Sequence, residues 1–266
     1  MGAGMKKIEI DELKKIQLQI LDDVVAFCDK ENLTYFLAYG TLIGAIRHNG
    51  YIPWDDDIDL VMPRDDYDYF LRHYNRSTER YKVLDYEVDS KYLYPFGKVI
   101  DTETFLNENC YIGYELGVNI DIFPLDEVDA AGKMLRHERM VRKIIFFKTM
   151  PWSNKRSLMK NIVLTLGRGV FSVVPLESLI KHTICYAKKL RGTGSEKLSV
   201  PVDGASSVKV WEKKWFEEME YHQFEGKEYK IPKEYDVWLR AVYGNYMELP
   251  PEDQRESLHD IEAYWR

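Results

Sequence analysis

The helical spacing of apolar residues is clearest near the beginning of the chain. Leu13, Ile16, Ile20 and Val24 recur at intervals of three or four positions, which predicts an amphipathic helix over residues 9–31. Similar spacing predicts six further helices, over residues 41–47, 63–74, 134–147, 158–174, 176–190 and 232–243.

Short apolar runs and alternating patterns between these helices predict β-strands. The predicted strands cover residues 34–38, 58–62, 81–88, 92–100, 117–123 and 208–211. This order of elements predicts an α/β (α+β) fold, in which helices flank a mixed, partly antiparallel sheet.

An acidic run precedes and enters the strand predicted over residues 58–62. Asp57 and Asp59 would share one strand face, about 7 Å apart at their Cα atoms, because strand side chains alternate between faces. Two such carboxylates repel unless a hard divalent cation such as Mg²⁺ or Mn²⁺ lies between them. Asp55 is a candidate further ligand if the strand begins early, and Asp56 is expected to be structural. A solvated acidic turn or a calcium loop remains the alternative.

A candidate anion site lies upstream of this run. Gly40 falls at the turn between a predicted strand and a predicted helix, where the lack of a Cβ allows a ligand to approach closely. Thr41 is placed to cap that helix, whose free N–H groups favour anions. Arg47 and His48 follow about two turns later and would add positive charge. An ordinary turn and helix cap would use the same residues.

Two later strands supply further candidates. Asp121 lies between apolar neighbours, and a buried strand seldom carries an acid without a partner. It could join Asp57 and Asp59 if its strand pairs beside theirs, or it could be a hydrogen-bonded structural residue. Lys98 is a candidate contact for a phosphate, or a surface lysine. Asp126, after a proline, is expected in a helix or turn.

Positive charge is concentrated in residues 133–191, which we call the basic module. It holds 14 Lys and Arg residues against two acids, while the net charge of the whole chain is −7. Its helices could contact an anionic membrane surface, a glycan or a donor phosphate, or could simply expose a solvated basic face. Residues 162–174 are strongly apolar, but their length and Arg168 argue against a membrane span.

Composition narrows the class of protein. The 266 residues are 45% hydrophobic, which is enough for one large core or two smaller ones. The cysteines, Cys28, Cys110 and Cys185, are far apart and predict no disulfide framework, and no secretory signal pattern opens the chain. We therefore expect a cytoplasmic enzyme, with peripheral contact at the inner face of the membrane through the basic module. The acidic body and the lack of a reader motif argue against nucleic acid as a partner.

Two motifs together resemble a known family. Residues 40–48 and 52–59 resemble the signature of the LicD family, which belongs to the nucleotidyltransferase-fold superfamily and is related to fukutin and fukutin-related protein. The resemblance continues through Lys98, Thr104, residues 120–126, residues 243–251, Arg255 and His259. It covers most of the chain outside residues 130–205.

The resemblance implies a phosphotransferase. Members move phosphocholine, or a similar substituted phosphate, from a CDP-activated donor to a sugar hydroxyl of a cell-surface glycan such as teichoic acid, lipopolysaccharide or capsule. Asp57 and Asp59 match the metal-binding pair, Asp121 the third acid, and Gly40 and Thr41 the phosphate turn. We expect these three acids to be catalytic through Mg²⁺ or Mn²⁺, without a covalent enzyme intermediate. Arg47, His48 and Lys98 would offset charge on the leaving nucleotide. Candidate aromatic contacts for a choline head group are Trp54, Tyr94, Phe96 and Trp211.

The resemblance and the charge pattern together divide the chain into three parts. We expect a nucleotidyltransferase-like catalytic core over residues 5–129, a basic helical insertion over residues 130–205, and a C-terminal segment, 206–266, that packs back on the core. Two other functions stay open. One is a nucleotidyltransferase that makes a CMP- or CDP-linked small molecule from CTP, and the other is a non-catalytic glycan- or membrane-binding module.

Overall fold

The computed structural model of the protein describes residues 6–108, 114–153, 156–203, 209–255 and 261–266. The α-helices in these ranges are α1 (Ile10–Lys30), α2 (Tyr39–His48), α3 (Arg64–His73), α4 (Lys133–Thr149), α5 (Leu158–Val170), α6 (Leu176–Ala187) and α7 (Tyr235–Tyr243). The β-strands in the same ranges are β1 (Lys7–Ile8), β2 (Phe36–Leu37), β3 (Asp59–Pro63), β4 (Tyr81–Leu84), β5 (Gly97–Asp101), β6 (Thr104–Glu108), β7 (Asn119–Glu127), β8 (Lys197–Ser199), β9 (Trp211–Glu212), β10 (Met219–Phe224), β11 (Lys227–Pro232) and β12 (Ile261–Trp265).

The main sheet is mixed, as predicted. Its strand order is β2-β3-β7-β5-β4, and β8 pairs with the second half of β7 and with β9. Strands β3 and β7 are parallel, whereas the other pairs in the sheet are antiparallel. The two strands that carry the predicted acids are therefore adjacent in the middle of the sheet.

Helix α1 packs its predicted apolar face against this sheet. Ile20, Leu21 and Val24 are fully buried in the main hydrophobic core. Gln17 is a polar residue on the same buried face. Its side-chain amide donates hydrogen bonds to the backbone carbonyls of Asp56 (2.9 Å) and Asn119 (3.2 Å). Helix α1 therefore anchors the acidic run to the beginning of β7.

The last described strand joins the tail to earlier parts of the chain. Strand β12 lies between β1 and β6 in a separate three-stranded antiparallel sheet.

Strands β10 and β11 form a hairpin, and Glu225 in its turn accepts a hydrogen bond from the Tyr51 N–H (3.0 Å). Helix α7 packs Trp238 near Tyr39, with ring centroids 6.2 Å apart. The predicted domain boundaries themselves stay predictions.

Helices α4, α5 and α6 form most of the basic module. Val141 and Ile145 of α4 pack with Ile180 and Ile184 of α6 in a small core separate from the main one. No single helix in the described ranges has both the length and the apolar composition to cross a membrane. Two segments, Leu158–Val173 and Leu176–Leu190, meet that test only together, and they are bent by 82° relative to each other.

Two sequence predictions near the sheet need correction. The strand predicted over residues 92–100 begins only at Gly97, and Pro95, which has no N–H to donate to a strand partner, lies in the irregular segment before it. Asp126 was expected in a helix or turn but lies in β7, which continues through Pro124. The Arg64 guanidinium donates to both Asp126 carboxylate oxygens at 2.7 Å, so a buried ion pair accounts for this strand acid.

Candidate active site

The acidic run lies at the beginning of β3 and in the loop before it. Asp59 is the first residue of β3, whereas Asp57 lies outside the strand, so the predicted alternation of strand faces does not apply to Asp57. Asp55, Asp56 and Asp57 each place one carboxylate oxygen within 4.8 Å of the others. Asp56 is the most buried of the four aspartates, and its backbone carbonyl is the one that Gln17 holds.

Asp121 joins this group through the pairing of β3 with β7. Asp59 and Asp121 are opposite each other in the parallel register, and neighbouring strands lie about 4.8 Å apart. The condition for Asp121 to approach the acidic run, namely adjacent strands, is therefore met. Asp59 lies within electrostatic reach of Asp57, Asp121 and Asp55. The structure brings together the four acids that the sequence nominates as metal ligands.

The carboxylates of this cluster repel one another. Burial and the neighbouring Asp57 raise the pKa of Asp55 to about 7, and the Asp55 and Asp57 side chains share a hydrogen bond. Burial, followed by the charges of Asp57 and Asp121, raises the pKa of Asp59 well above its ordinary value. A site that opposes its own ionisation in this way suits a hard divalent cation, which would stabilise all of the carboxylates in their charged form. The donor set thus fits Mg²⁺ or Mn²⁺.

Gly40 makes room for one of these acids. A Cβ at position 40 would lie 2.6 Å from Oδ2 of Asp55, closer than real Cβ contacts allow. A larger residue at position 40 would therefore displace the Asp55 carboxylate from its place beside α2. The predicted contact of Gly40 with a phosphate stays a prediction.

Thr41 holds the first residue of β3 and does not cap α2. The helix begins at Tyr39, and its N-cap position is Ala38, which makes no side-chain capping bond. The buried Thr41 hydroxyl instead accepts a hydrogen bond from the Asp59 N–H at 2.9 Å. The predicted capping role is therefore wrong, because the helix begins earlier and the hydroxyl faces the strand. Thr41 fixes the backbone of Asp59, and its predicted phosphate contact stays a prediction.

Lys98 is buried beside the third acid. Its register partner across β5 and β7 is Asp121, and its ammonium donates to Oδ1 of that residue at 2.7 Å. The same ammonium lies 3.2 Å from Glu108 and donates to the Asn119 side chain at 3.2 Å. Burial lowers its pKa, but Asp121 and Glu108 together outweigh burial, so the pKa of Lys98 is raised and it stays charged. In this arrangement Lys98 orients Asp121.

Arg47 and His48 lie at the other end of α2, where Arg47 contacts the C-terminal segment. The Arg47 guanidinium donates to the backbone carbonyl of Tyr246 at 2.7 Å and to Nε2 of His48 at 2.9 Å. Burial and the charge of Arg47 lower the pKa of His48, in keeping with a neutral, accepting imidazole. Arg47 therefore fastens the tail to α2, and the predicted contact of Arg47 and His48 with the nucleotide stays a prediction.

The aromatic candidates for a head-group contact differ in accessibility. Trp211 is buried and packs against Phe216 and Trp238, with ring centroids 6.1 Å and 5.4 Å away. It is therefore part of the core. Trp54 is partly exposed next to the acidic run, and the Arg255 guanidinium lies 5.7 Å above its ring. The face of Trp54 thus already accepts a cation.

Three residues near the cluster were not nominated from the sequence. Asp203 and the hydroxyl of Tyr243 both lie within electrostatic reach of Asp59. The buried Tyr39 hydroxyl lies beside Asp203, and Tyr39 has a positive φ of 46° at the beginning of α2. Tyr243 falls inside the tail motif, which was the available signal. Asp203 lies in a turn with no distinctive pattern.

The basic module contributes a fourth such residue, Arg142. This half-buried residue of α4 interacts electrostatically with Asp203 and Glu138, while burial lowers its pKa. No hydrogen bond or ion pair ties its guanidinium to another residue within the described parts of the chain. Arg142 is thus a cation of the basic module that faces the edge of the acidic site through Asp203. Nothing in the sequence distinguishes Arg142 from the other basic residues around it.

The chain that carries this site is similar to proteins of a known family. The profile of the "LicD/FKTN/FKRP, nucleotidyltransferase domain" matches residues 32–148, a range that contains all of the predicted metal-binding and phosphate-binding residues. A lipopolysaccharide cholinephosphotransferase LicD from Haemophilus influenzae is 31% identical over 270 residues, covering 98% of this chain and 99% of the relative.

Two shorter similarities involve uncharacterised proteins. One, from Rickettsia typhi, is 34% identical over 94 residues, covering 35% of this chain and 29% of that protein. The other, from Rickettsia prowazekii, is 32% identical over 104 residues, covering 38% and 37% respectively. The similarity to the Haemophilus protein extends over nearly the whole of both chains, and it shows that this protein belongs to the LicD family.

Proposed function

We propose that this protein transfers phosphocholine from CDP-choline to a sugar hydroxyl of a cell-surface glycan, such as lipopolysaccharide, teichoic acid or capsule. The pairing of Asp59 with Asp121 beside Asp55 and Asp57 carries the proposal, because such a cluster suits a cation that binds phosphate. The near full-length similarity to a cholinephosphotransferase supports the choice of reaction and head group.

The acidic cluster would hold one or two Mg²⁺ or Mn²⁺ ions. Asp57, Asp59 and Asp121 are the proposed ligands, and Asp55 is a further one because it shares a hydrogen bond with Asp57. When bound, the metal would neutralise phosphate charge and lower the pKa of a coordinated hydroxyl. Lys98 orients Asp121 through its 2.7 Å contact, and Thr41 fixes the backbone of Asp59.

The transfer itself is a direct displacement at the phosphorus atom of phosphocholine. The acceptor hydroxyl attacks, a carboxylate of the cluster, Asp121, takes its proton, and the bond from phosphorus to the CMP oxygen breaks. We propose that the Arg142 guanidinium, which interacts electrostatically with Asp203, contacts the donor phosphates. Arg47 and His48, at the other end of α2, would offset charge on the leaving nucleotide. Inversion at phosphorus is expected, and retention would contradict direct transfer.

Product analysis tests this function. Incubation of the protein with CDP-choline, Mg²⁺ and lipopolysaccharide or teichoic acid lacking phosphocholine should release CMP and place phosphocholine on the glycan. Incubation with CTP and phosphocholine should release no pyrophosphate. Pyrophosphate release would favour the nucleotidyltransferase instead. Absence of both reactions, together with absence of CDP-choline binding by calorimetry, would favour the non-catalytic alternative.

Trp54 is the aromatic side chain that we assign to choline recognition. It lies next to Asp55, and its ring face already carries the Arg255 guanidinium. A cation–π contact contributes about 0.5–2 kcal/mol, so Trp54→Leu should raise KM for CDP-choline roughly two- to thirtyfold. The KM for CDP-glycerol, which has no cationic head group, should stay nearly constant. Equal changes for both donors would contradict the assignment.

We also propose that the basic module lies against an anionic membrane, at the inner face, where the protein would meet a lipid-linked acceptor. One face of α5 and its extension exposes a series of large apolar side chains. They are Leu158, Met159, Ile162, Val163, Leu166, Val170 and Val173, which are 41–84% exposed. Such an apolar face within a module of net charge +12 is the combination that binds anionic bilayer surfaces.

Vesicle flotation tests the membrane contact. The protein should float with vesicles of phosphatidylglycerol and phosphatidylcholine, and less with phosphatidylcholine alone. Leu166→Glu should weaken binding to the anionic vesicles by about tenfold or more, because it places a charge in the apolar face. The matched control is Met219→Glu on β10, another exposed apolar position. Equal binding by the two variants would contradict α5 as the contact.

A further inference from the structure

Two histidines and a glutamate meet where α4 packs against α6, outside the acidic site. The Nε2 atoms of His137, on α4, and His182, on α6, are 2.8 Å apart. Oε1 of Glu138, the next residue on α4, is 3.9 Å from Nε2 of His182. One potential ligand atom from each residue lies within 4.8 Å of the other two.

The Glu138 carboxylate is the unusual member of this group. Glu138 is 1% exposed, and neither carboxylate oxygen has a hydrogen-bond partner among the described residues. The buried Thr183 hydroxyl lies beside it and favours its charged form, but the two groups do not meet in normal hydrogen-bonding geometry. Burial raises the pKa of Glu138 to about 7. Arg142 favours the charged form of Glu138 electrostatically, but no ion pair joins the two among the described residues. Native proteins rarely leave a buried acid without a direct partner, so the site has a place for a cation.

The histidines have the chemistry and the support that a metal site needs. Both rings pack against Tyr186, with centroids 4.4 Å from His137 and 5.6 Å from His182, which limits their rotation. Imidazole nitrogens on one tetrahedral Zn²⁺ lie about 3.3 Å apart when the bonds are about 2.0–2.1 Å. The observed 2.8 Å therefore requires only a small opening of the pair.

We propose that His137, Glu138 and His182 bind a borderline divalent transition metal, represented by Zn²⁺, which fastens α4 to α6. Two imidazoles and one carboxylate are typical zinc ligands, and the exposed side of the histidines leaves a fourth position for water. This site lies on the helices of the basic module and shares no residue with the aspartate cluster. Its role is structural, because it joins the two helices whose contact forms the core of the basic module.

Zinc binding by the full chain tests this proposal. Zn²⁺ affinity is measured by competition with a chromophoric chelator, in excess Mg²⁺ so that the aspartate cluster is occupied. The wild type should bind one Zn²⁺ tightly. His137→Ala and His182→Ala should each reduce Zn²⁺ affinity by more than the roughly 10–100-fold expected when a residue that only supports a metal ligand is removed. His222 is a half-buried histidine of β10 outside the proposed site, so His222→Ala is the matched control and should bind Zn²⁺ like the wild type.

A second variant separates metal binding from folding. Glu138→Gln keeps the shape of the side chain and removes the buried charge, so its metal-free melting temperature should equal or exceed that of the wild type. Added Zn²⁺ should raise the melting temperature of the wild type and of His222→Ala. The increase for Glu138→Gln should be much smaller. Co²⁺ in place of Zn²⁺ should give the visible absorption of a four-coordinate site. Equal Zn²⁺ affinity in all variants, or no tight binding by the wild type, would show that the histidines form only a hydrogen-bonded pair.

Discussion

The Asp55 carboxylate occupies the space that a side chain at position 40 would need. A methyl group there would meet Oδ2 of Asp55 at 2.6 Å, and the flexible carboxylate is the group that would move. Gly40→Ala should therefore displace Asp55 and weaken Mg²⁺ binding and turnover by about tenfold or more, by analogy with the effect of misplaced metal ligands. Calorimetric titration measures Mg²⁺ binding, and the rate of CMP release measures turnover.

Gly169→Ala in α5 is the matched control for this substitution. It also places a methyl group on a helical glycine, but no atom lies within 4 Å of the new Cβ. It should leave turnover unchanged and stabilise the protein by up to about 1 kcal/mol through helix propensity. If Gly40→Ala behaved in the same way, the space beside Asp55 would have no role in the site.

The raised pKa values of Asp55 and Asp59 predict how the metal-free protein responds to pH. Both groups hold a proton more tightly when folded than when unfolded, so the stability they contribute in acid is lost as pH rises from about 4 through about 7. Melting temperature in chelator should fall over that window. Mg²⁺ should reverse the fall above about pH 7, because it binds the ionised cluster.

Asp55→Asn provides the control for this pH dependence. It removes the group that titrates near pH 7 and should flatten the decline in melting temperature. Apparent Mg²⁺ affinity of the wild type should increase with pH over the same range. Stability that rises from about pH 4 to pH 7 without metal would contradict the carboxylate repulsion.

Residue types in a pattern were enough to find most of the aspartate cluster. The acidic run and Asp121 stand out because acids seldom interrupt apolar strands. Asp203 and Arg142 did not stand out, since a turn and a basic helix are ordinary places for such residues. Only the tertiary fold brings Asp203 near Asp59, and Arg142 near Asp203. The predicted contact of Lys98 with a phosphate stays a prediction, and its binding to Asp121 was not predicted.

At the scale of elements, α1 holds the acidic loop and β7 together through one side chain. Gln17→Leu would leave the buried carbonyls of Asp56 and Asn119 without this donor, which should cost about 1–3 kcal/mol for each. Urea unfolding measures the loss. Gln19→Leu, on the exposed face of the same helix, is the control and should change the free energy of unfolding little. Equal effects of the two substitutions would contradict the anchoring role.

Helices were predicted more closely than strands, for a physical reason. Predicted helix 9–31 corresponds to α1 (Ile10–Lys30), because a long apolar stripe repeats its signal many times. Strand β2 has only two residues of the five predicted, since strand length depends on which partner lies alongside. The continuation of β7 through Pro124 depends likewise on its partners β3 and β8.

At the scale of the whole molecule, opposite charges meet where the basic module adjoins the acidic body. Arg191 pairs with Asp65 and Asp68 of α3, and Lys188 pairs with Asp68 and Glu87. The net charge of +12 in residues 133–191 was readable from the sequence. The sequence did not reveal which of these charges form ion pairs with the body, or that Arg142 lies near Asp203. Nor did it reveal which face of α5 is apolar and exposed. These features depend on how the three helices pack.

Metal-dependent transfer by the aspartate cluster is the central proposal, and Asp59→Asn tests it most directly. The substitution keeps the size of the side chain and removes one repelling charge, so the metal-free variant should fold with equal or greater stability. CMP release from CDP-choline, with glycan acceptor and Mg²⁺, should fall by at least about a hundredfold. CMP release that persists in this variant, or that proceeds at the same rate in chelator, would contradict the account.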